Sequence, residues 1–291
     1  MTPENHIIFQ KFKGIRSWRK GDVRAPHKPL LVLLAIGKTL NGRDYFTYEE
    51  IEDKLEQLLE DFGPPRNQIR PFYPFVRLAS DDIWIFSKPN IIESNKDYSR
   101  KYLKDNAISA GFPPEITNAL RSDHDLTKEI IYHFLNTNFP ESYHDEILIA
   151  TGLHSFADTG TIIRDPKFRE KILIAYNYQC AVCGWNIRLG NKLVGLEAAH
   201  IKWHQAGGPA NENNGLALCS GHHKLLDAGV FTLDDNYRVK VAENANGNQL
   251  EELLLRFEGK NINLPRKEKY YPEQDFVSWH VNEVFREYRR K

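Results

Sequence analysis

Two short arms of equal spacing, Cys180-Ala-Val-Cys183 and Cys219-Ser-Gly-His222, constrain this chain more than any other feature. Each arm is a knuckle able to give two ligands to one tetrahedral ion, and together they offer three thiolates and an imidazole, a donor set suited to zinc. The 35 residues between Cys183 and Cys219 exceed what a minimal zinc ribbon needs, so they must fold around something else. Three cysteines are too few, and odd in number, to staple a secreted chain of 291 residues. In a reducing compartment a C-x-x-C pair points to metal or redox chemistry. We therefore expect one structural zinc on Cys180, Cys183, Cys219 and His222.

Between and beside these arms, "LVGLEAAHI" reads as a strand, "NENNGLALC" returns through an Asn-Gly turn into a second, and "SGHHKLLDAG" opens a helix ending at Gly229. His223 and Asp227 are four apart, so one helix face carries both and they can share a cation. Two strands and a helix thus surround His200, Asn214 and His223, separated by fourteen and then nine residues. Over about residues 165–245 this pattern resembles the HNH nucleases with their ββα-metal fold, in the subgroup where Ala-Ala-His replaces Asp-His. The resemblance implies hydrolysis of a DNA phosphodiester with a divalent ion, Mg or Mn. His200 would be the general base, suited by an imidazole pKa of about 6.5. Asn214 would orient His200 and tie its loop, and His223, with Asp227 as a second ligand, would hold the metal. Ala199 departs from the Asp-His pattern because it cannot bind metal. Glu197, on the same strand face, is a candidate substitute ligand, or else a strand-edge carboxylate with no catalytic part. His204 reads as a phosphate contact or a solvated loop histidine. In this reading His222 faces zinc and its neighbour His223 faces DNA.

The chain is long enough for two domains. Its front half reads as mainly helical: "APHKPLLVLLAIGKTLNG" is a buried helix entered through proline and closed at Asn-Gly, and Thr47 with Glu50 forms a capping box ahead of "IEDKLEQLLEDFG". "FVRLASDDIWIF" offers two β-prone runs around Ser-Asp-Asp and predicts a hairpin. Helices followed by a hairpin give a winged-helix-like layout, so the fold class expected is α+β. We expect a DNA-recognition domain at 1–140, a linker at 141–164 around the polar "LHSFADTG", and an endonuclease domain at 165–291. No apolar run reaches the roughly 18 residues of a membrane span, and the N-terminus lacks a signal-peptide pattern, which predicts a cytoplasmic protein without a membrane partner. Formal net charge is zero, but residues 11–30 carry seven Lys or Arg against one Asp, which suits a solvated helix face or a phosphate-binding surface.

"RAPHKPLLVLLAIG", and "FYPFVRL" followed by "DDIWIF", resemble the sulfur-binding domain of restriction nucleases that attack phosphorothioate-modified DNA, over roughly the first 100 residues. Sulfur is larger than oxygen and a poorer hydrogen-bond acceptor, so selecting it calls for a small apolar cup in a basic rim. The resemblance assigns Tyr73, Pro74 and Val76 to that cup, and His27, Lys28 and Arg77 to phosphates and base edges. The other reading makes Tyr73, Pro74 and Phe75 hairpin-entry core and Pro26–Pro29 a helix start. The expected function is a modification-dependent, type IV-like restriction endonuclease on phosphorothioated double-stranded DNA. A nuclease reading another mark, such as a methylated base, and a non-catalytic DNA-binding protein are the alternatives. Cutting both strands suggests a homodimer, and Phe276, Val277, Val281 and Phe285 near the C-terminus fit a dimer helix or a packed end.

Overall fold

The computed structural model describes residues 2–15, 25–65, 68–88, 92, 96, 98–156 and 166–287. The chain divides into two compact units, Met1–Asp158 and Thr159–Lys291. Part of the basic stretch, residues 16–24, lies outside the described residues. Among the described residues no helix is long and apolar enough to cross a membrane.

In unit 1 the chain runs α1 (Pro3–Lys13), α2 (His27–Leu40), β1 (Phe46–Thr47), α3 (Tyr48–Phe62), α4 (Phe72–Arg77), β2 (Ile85–Phe86), α5 (Arg100–Asp105), β3 (Ser109–Gly111), α6 (Pro114–Ser122), α7 (His124–Asn138) and α8 (His144–Ala150). Helix α2 is apolar on all sides and buried throughout its middle, Leu30 to Ile36, so it is the central element of this core. A Cβ on Gly37 would lie 1.9 Å from the Thr151 carbonyl oxygen, so only glycine lets α2 pass the end of α8. The Thr47–Glu50 capping box forms as expected, each side chain meeting the other's backbone amide. Beyond α6, the Asp123 side chain caps α7 by accepting from Leu126 N at 2.9 Å.

The hairpin expected in "FVRLASDDIWIF", and the wing it would supply, are absent. Residues 72–77 are helical because Pro74 lies in the first turn, where no intrahelical N–H is needed, and Pro74, Phe75 and Leu78 repeat at helical spacing on the buried side. A 3₁₀ turn follows, closed by Asp82 in the left-handed region at φ 55°. Strand β2 then pairs with β3 from a later part of the chain, giving an antiparallel sheet of order β1-β3-β2. The segment read as linker from 141 on is ordered with unit 1: Ile147 and Leu148 of α8 are buried, and Tyr132 Oη donates to the Phe156 carbonyl at 3.0 Å. Residues 157–164 of that segment lie outside the described residues.

Unit 2 contains α9 (Pro166–Ala175), β4 (Arg188–Leu189), β5 (Lys192–Leu193), β6 (Leu196–His200), β7 (Gly215–Cys219), α10 (Ser220–Asp227), β8 (Phe231–Leu233), β9 (Val239–Val241), α11 (Leu250–Leu253) and α12 (Gln274–Glu283). Three separate antiparallel pairs, β4-β5, β6-β7 and β8-β9, stack with α9 and α10 around Ile172, Leu216, Leu218, Leu226 and Phe231. Helix α12 packs its own apolar side on this body, with Val277 buried, Phe285 buried just beyond its end, and His280 bridging Thr232 Oγ1 at 2.8 Å and the Leu226 carbonyl at 3.0 Å.

Candidate metal centre and active site

The first knuckle is held by backbone contacts. Asn177 and Tyr178 turn the chain after α9 through the left-handed region, and Ala181 N donates to the Ala217 carbonyl at 2.7 Å, hooking the knuckle onto β7. The second arm is the β7-to-α10 corner, with Cys219 as the N-cap residue and His222 one turn into the helix. The four donor atoms lie within 4.8 Å of one another. Cys183 Sγ is 4.0 Å from Cys219 Sγ, and His222 Nδ1 is 3.8 Å from Cys180 Sγ and 3.0 Å from Cys219 Sγ. Ligands tetrahedral about an ion at ~2.3 Å stand ~3.8 Å apart, so the cluster fits a metal with little adjustment. His222 Nε2–H donates to the Leu253 carbonyl at 2.7 Å, which leaves Nδ1 for the sulfurs. Burial works against a charged imidazole here, but the contacts to Cys180 and Cys219 outweigh it and hold His222 up at about 10. Hydrogen bonding with Cys183 and Cys219 holds the Cys180 thiol far below its ordinary value. A cation entering this cluster therefore displaces protons.

Strands β6 and β7 pair from Leu196↔Cys219 to His200↔Gly215, and α10 follows directly, a ββα unit. Cross-strand partners share a face, so Glu197 and Ala199 face one side with Leu218 and Leu216, and His200 faces the other with Gly215. On the first side His223 of α10 meets two carboxylates. Its Nδ1–H donates to Glu197 Oε2 at 2.7 Å, and its Nε2 lies 3.3 Å from Asp227 Oδ2. Ser220 Oγ donates to the other Glu197 oxygen at 2.9 Å. The two carboxylates approach opposite nitrogens of one ring, so Glu197 and Asp227 do not converge with His223 on a common point. Among the described residues the Cys180, Cys183, Cys219 and His222 cluster is the group of three or more His, Cys, Asp or Glu donors that does converge. Ala199, where the Asp-His pattern has its carboxylate, is fully buried.

The His200 ring stacks on Phe168 of α9 with centroids 3.9 Å apart and planes 11° apart, and the His204 ring is 6.0 Å away. A Cβ on Gly215 would strike Ile172 at 2.1 Å and Phe168 at 3.1 Å, so glycine opposite His200 lets α9 settle onto the strands. Asn214 is fully buried and grips the loop leaving β6: its Oδ1 accepts from Lys202 N at 2.8 Å, and its Nδ2 donates to the carbonyls of Lys202 at 2.9 Å and Pro209 at 3.0 Å. The Asn214 carbonyl also accepts from Ile201 N at 3.0 Å, so Asn214 fixes the backbone on which His200 sits. Sequence reasoning missed Ser220, Phe168 as the stacking partner of His200, and the Leu253 carbonyl. In the sequence, "RDPKFREKILIAYNYQC" reads as a helix with Phe168, Ile172 and Tyr176 on one side, so Phe168 had a periodic signal, while a hydroxyl beside a carboxylate leaves none.

In unit 1 the expected reader residues lie on two elements. Tyr73, Pro74, Val76 and Arg77 are on α4, and His27 and Lys28 open α2. Pro74 is buried and Val76 is 2 % exposed, while Tyr73 is half-buried against Phe72 and accepts at Oη from Arg70 Nη1 at 3.1 Å. Lys28 Nζ donates to Asp81 Oδ2 at 2.5 Å, which ties the start of α2 to the turn after α4.

Residues 5–156 match the family described as the ScoMcrA-like DNA sulfur-binding domain, and residues 180–234 match the HNH endonuclease family. Among solved structures, the chain is similar to the sulfur-binding domain of ScoMcrA complexed with phosphorothioated DNA, at 21% identity over 51% of this chain and 96% of that one, with a TM-score of 0.43. It is similar to the corresponding SprMcrA domain with phosphorothioated DNA at 18% identity, 53% and 96% coverage, and a TM-score of 0.45. Against the type IV phosphorothioation-dependent restriction endonuclease ScoMcrA, identity is 21%, coverage is 54% of this chain and 33% of that one, and the TM-score is 0.42. A search of curated proteins found no match.

Proposed function

The chain belongs to the family of ScoMcrA-like DNA sulfur-binding domains and carries an HNH endonuclease domain, and on that premise we propose that it is a modification-dependent restriction endonuclease that binds phosphorothioated double-stranded DNA through unit 1 and hydrolyses it with unit 2. The observation that carries the hydrolytic half is the ββα unit with His223 held between Glu197 and Asp227.

His223 Nε2 and Asp227 Oδ2 stand 3.3 Å apart, close enough to share one cation, so these two would hold the catalytic Mg or Mn. When bound, that ion supplies a positive charge to the scissile phosphate as negative charge builds on its oxygens. Glu197 serves as a positioning residue and not as the substitute ligand: by accepting from Nδ1–H it fixes the tautomer that leaves Nε2 free to ligate, and Ser220 holds Glu197 in place. His200 alternates to the face opposite Glu197 but is the last residue of β6, so it would reach the phosphate from the open end of the strand pair. With its ring plane set by Phe168 and its backbone by Asn214, it takes the proton of a water as the water oxygen bonds to phosphorus and the bond to the 3′ oxygen breaks. The leaving oxygen takes its proton from solvent. The Cys180, Cys183, Cys219 and His222 cluster would hold one zinc with a structural part, tying the first knuckle to the corner between β7 and α10.

In unit 1, half-buried Tyr73 on α4 offers the open side of the sulfur contact, with Pro74 and Val76, buried on the same helix, as its apolar backing, and His27, Lys28 and Arg77 serve phosphates and base edges. Its support is the family match over residues 5–156, and the position of these residues at the adjoining ends of α2 and α4. Breaking both strands takes two catalytic centres, which a homodimer supplies. The test is incubation of phosphorothioate-bearing plasmid with Mg or Mn. The wild type cuts and His200→Ala binds without cutting. A wild type inert with both metals on modified plasmid supports a DNA-binding protein instead.

A further inference from the structure

A hairpin of unit 2 wears its apolar side outward. In β4-β5 the partners are Arg188↔Leu193 and Leu189↔Lys192, and Val194 N donates to the Ile187 carbonyl at 3.0 Å. Cross-strand partners share a face, so Ile187, Leu189, Lys192 and Val194 line one side, and Arg188 and Leu193 the other. The second side is the packed one: Leu193 rests on the core of unit 2 and the Arg188 guanidinium lies over the Tyr178 ring at 5.5 Å. The first side is open, with Ile187 51 % exposed, Leu189 77 % and Val194 43 %. A half-solvated hairpin ordinarily turns its polar residues outward. This one has three aliphatic side chains there beside one cation, Lys192, and no acidic residue from Gly184 to Gly195.

Resting on the reading of this chain as a DNA endonuclease, we propose that the β4-β5 hairpin is a second DNA contact of the nuclease unit, a ribbon that lays Ile187, Leu189 and Val194 into a groove while Lys192 on the same face meets a flanking phosphate. A two-stranded ribbon has the dimensions a DNA groove admits, and aliphatic side chains in grooves pack on sugars, thymine methyls and base edges. The charge selects this occupant over a second copy of the chain, because a two-fold contact through the same face sets Lys192 against Lys192. Strand β6 leads directly from the hairpin to His200 in five residues, so the contact flanks the site of the cut. It adds affinity on either side of the sulfur mark without reading it.

The test uses the full chain without divalent metal, measuring affinity for a phosphorothioate duplex and its salt dependence, followed by cleavage with Mn. Lys192→Ala is expected to lower the salt slope by about one and weaken binding roughly threefold. Leu189→Ser, at a site too exposed to endanger folding, weakens binding about threefold with the salt slope unchanged. Binding by both variants equal to wild type overturns the proposal, as does a Leu189→Ser protein that turns from dimer to monomer while each protomer binds DNA as before. Because binding is read without metal, the hairpin is tested even where the wild type fails to cut, and such a failure counts against the nuclease reading alone.

Discussion

His223 has a carboxylate at each ring nitrogen, at 2.7 Å and 3.3 Å, and the two contacts do different work. Glu197→Ala is expected to lower Mn affinity, measured by calorimetry, roughly tenfold, while Glu197→Gln loses less because its amide oxygen still accepts from Nδ1–H. Equal losses in both variants point to direct ligation by Glu197. Sequence alone put Glu197 on the face of Ala199, since strand alternation is rigid, but gave no way to say which nitrogen of which histidine it meets. The same limit applies to His200 and Phe168: helical periodicity placed Phe168 on the inner face of α9, and only the missing side chain of Gly215 brings the two rings together.

Elements show where local signals speak for themselves and where they are overridden. The capping box of α3 and the proline entry of α2 are local, and both were legible. The hairpin expected in residues 75–86 was not, because β-prone residues were claimed by a helix whose proline falls in its permissive first turn, and by pairing with the distant β3. Gly37 carries a closer constraint. Gly37→Ala drives a methyl into the Thr151 carbonyl and should cost unit 1 about 2 kcal/mol or more, read as a lower urea midpoint. Buried Glu52 clamps α3 to α5 through Lys104 at 2.5 Å and Arg100. Burial opposes its charge, but hydrogen bonds from Lys104, Tyr48 and Arg100 outweigh it and hold the carboxyl below its ordinary 4.5. A lowered folded pKa gives stability that is full above that ordinary value and fades as pH falls through the folded one. Urea midpoints taken from about pH 6 down to about pH 3 should therefore decline less steeply in Glu52→Gln, which starts lower, than in the wild type. In unit 2, Cys180→Ser should abolish the retention of about one equivalent of zinc and unfold the unit, checked by metal analysis and circular dichroism; retained zinc with native spectra contradicts the assignment.

At the scale of the molecule, two units join a reader to a cutter. The cutter was legible because metal and phosphate chemistry demand particular side chains at particular spacings, and "LEAAHI", "NNGLALC" and "HHKLLDAG" keep that spacing in the linear chain. The reader was less so. An apolar cup for one sulfur atom uses tyrosine, proline and valine, which are also ordinary core residues, and Pro74 and Val76 are buried here. The most direct measurement is cleavage and binding of two duplexes identical except for one phosphorothioate, with Mn present. The account predicts cuts at a fixed distance from the sulfur in the modified duplex and none in its oxygen twin. Equal cutting or equal affinity for the two contradicts it.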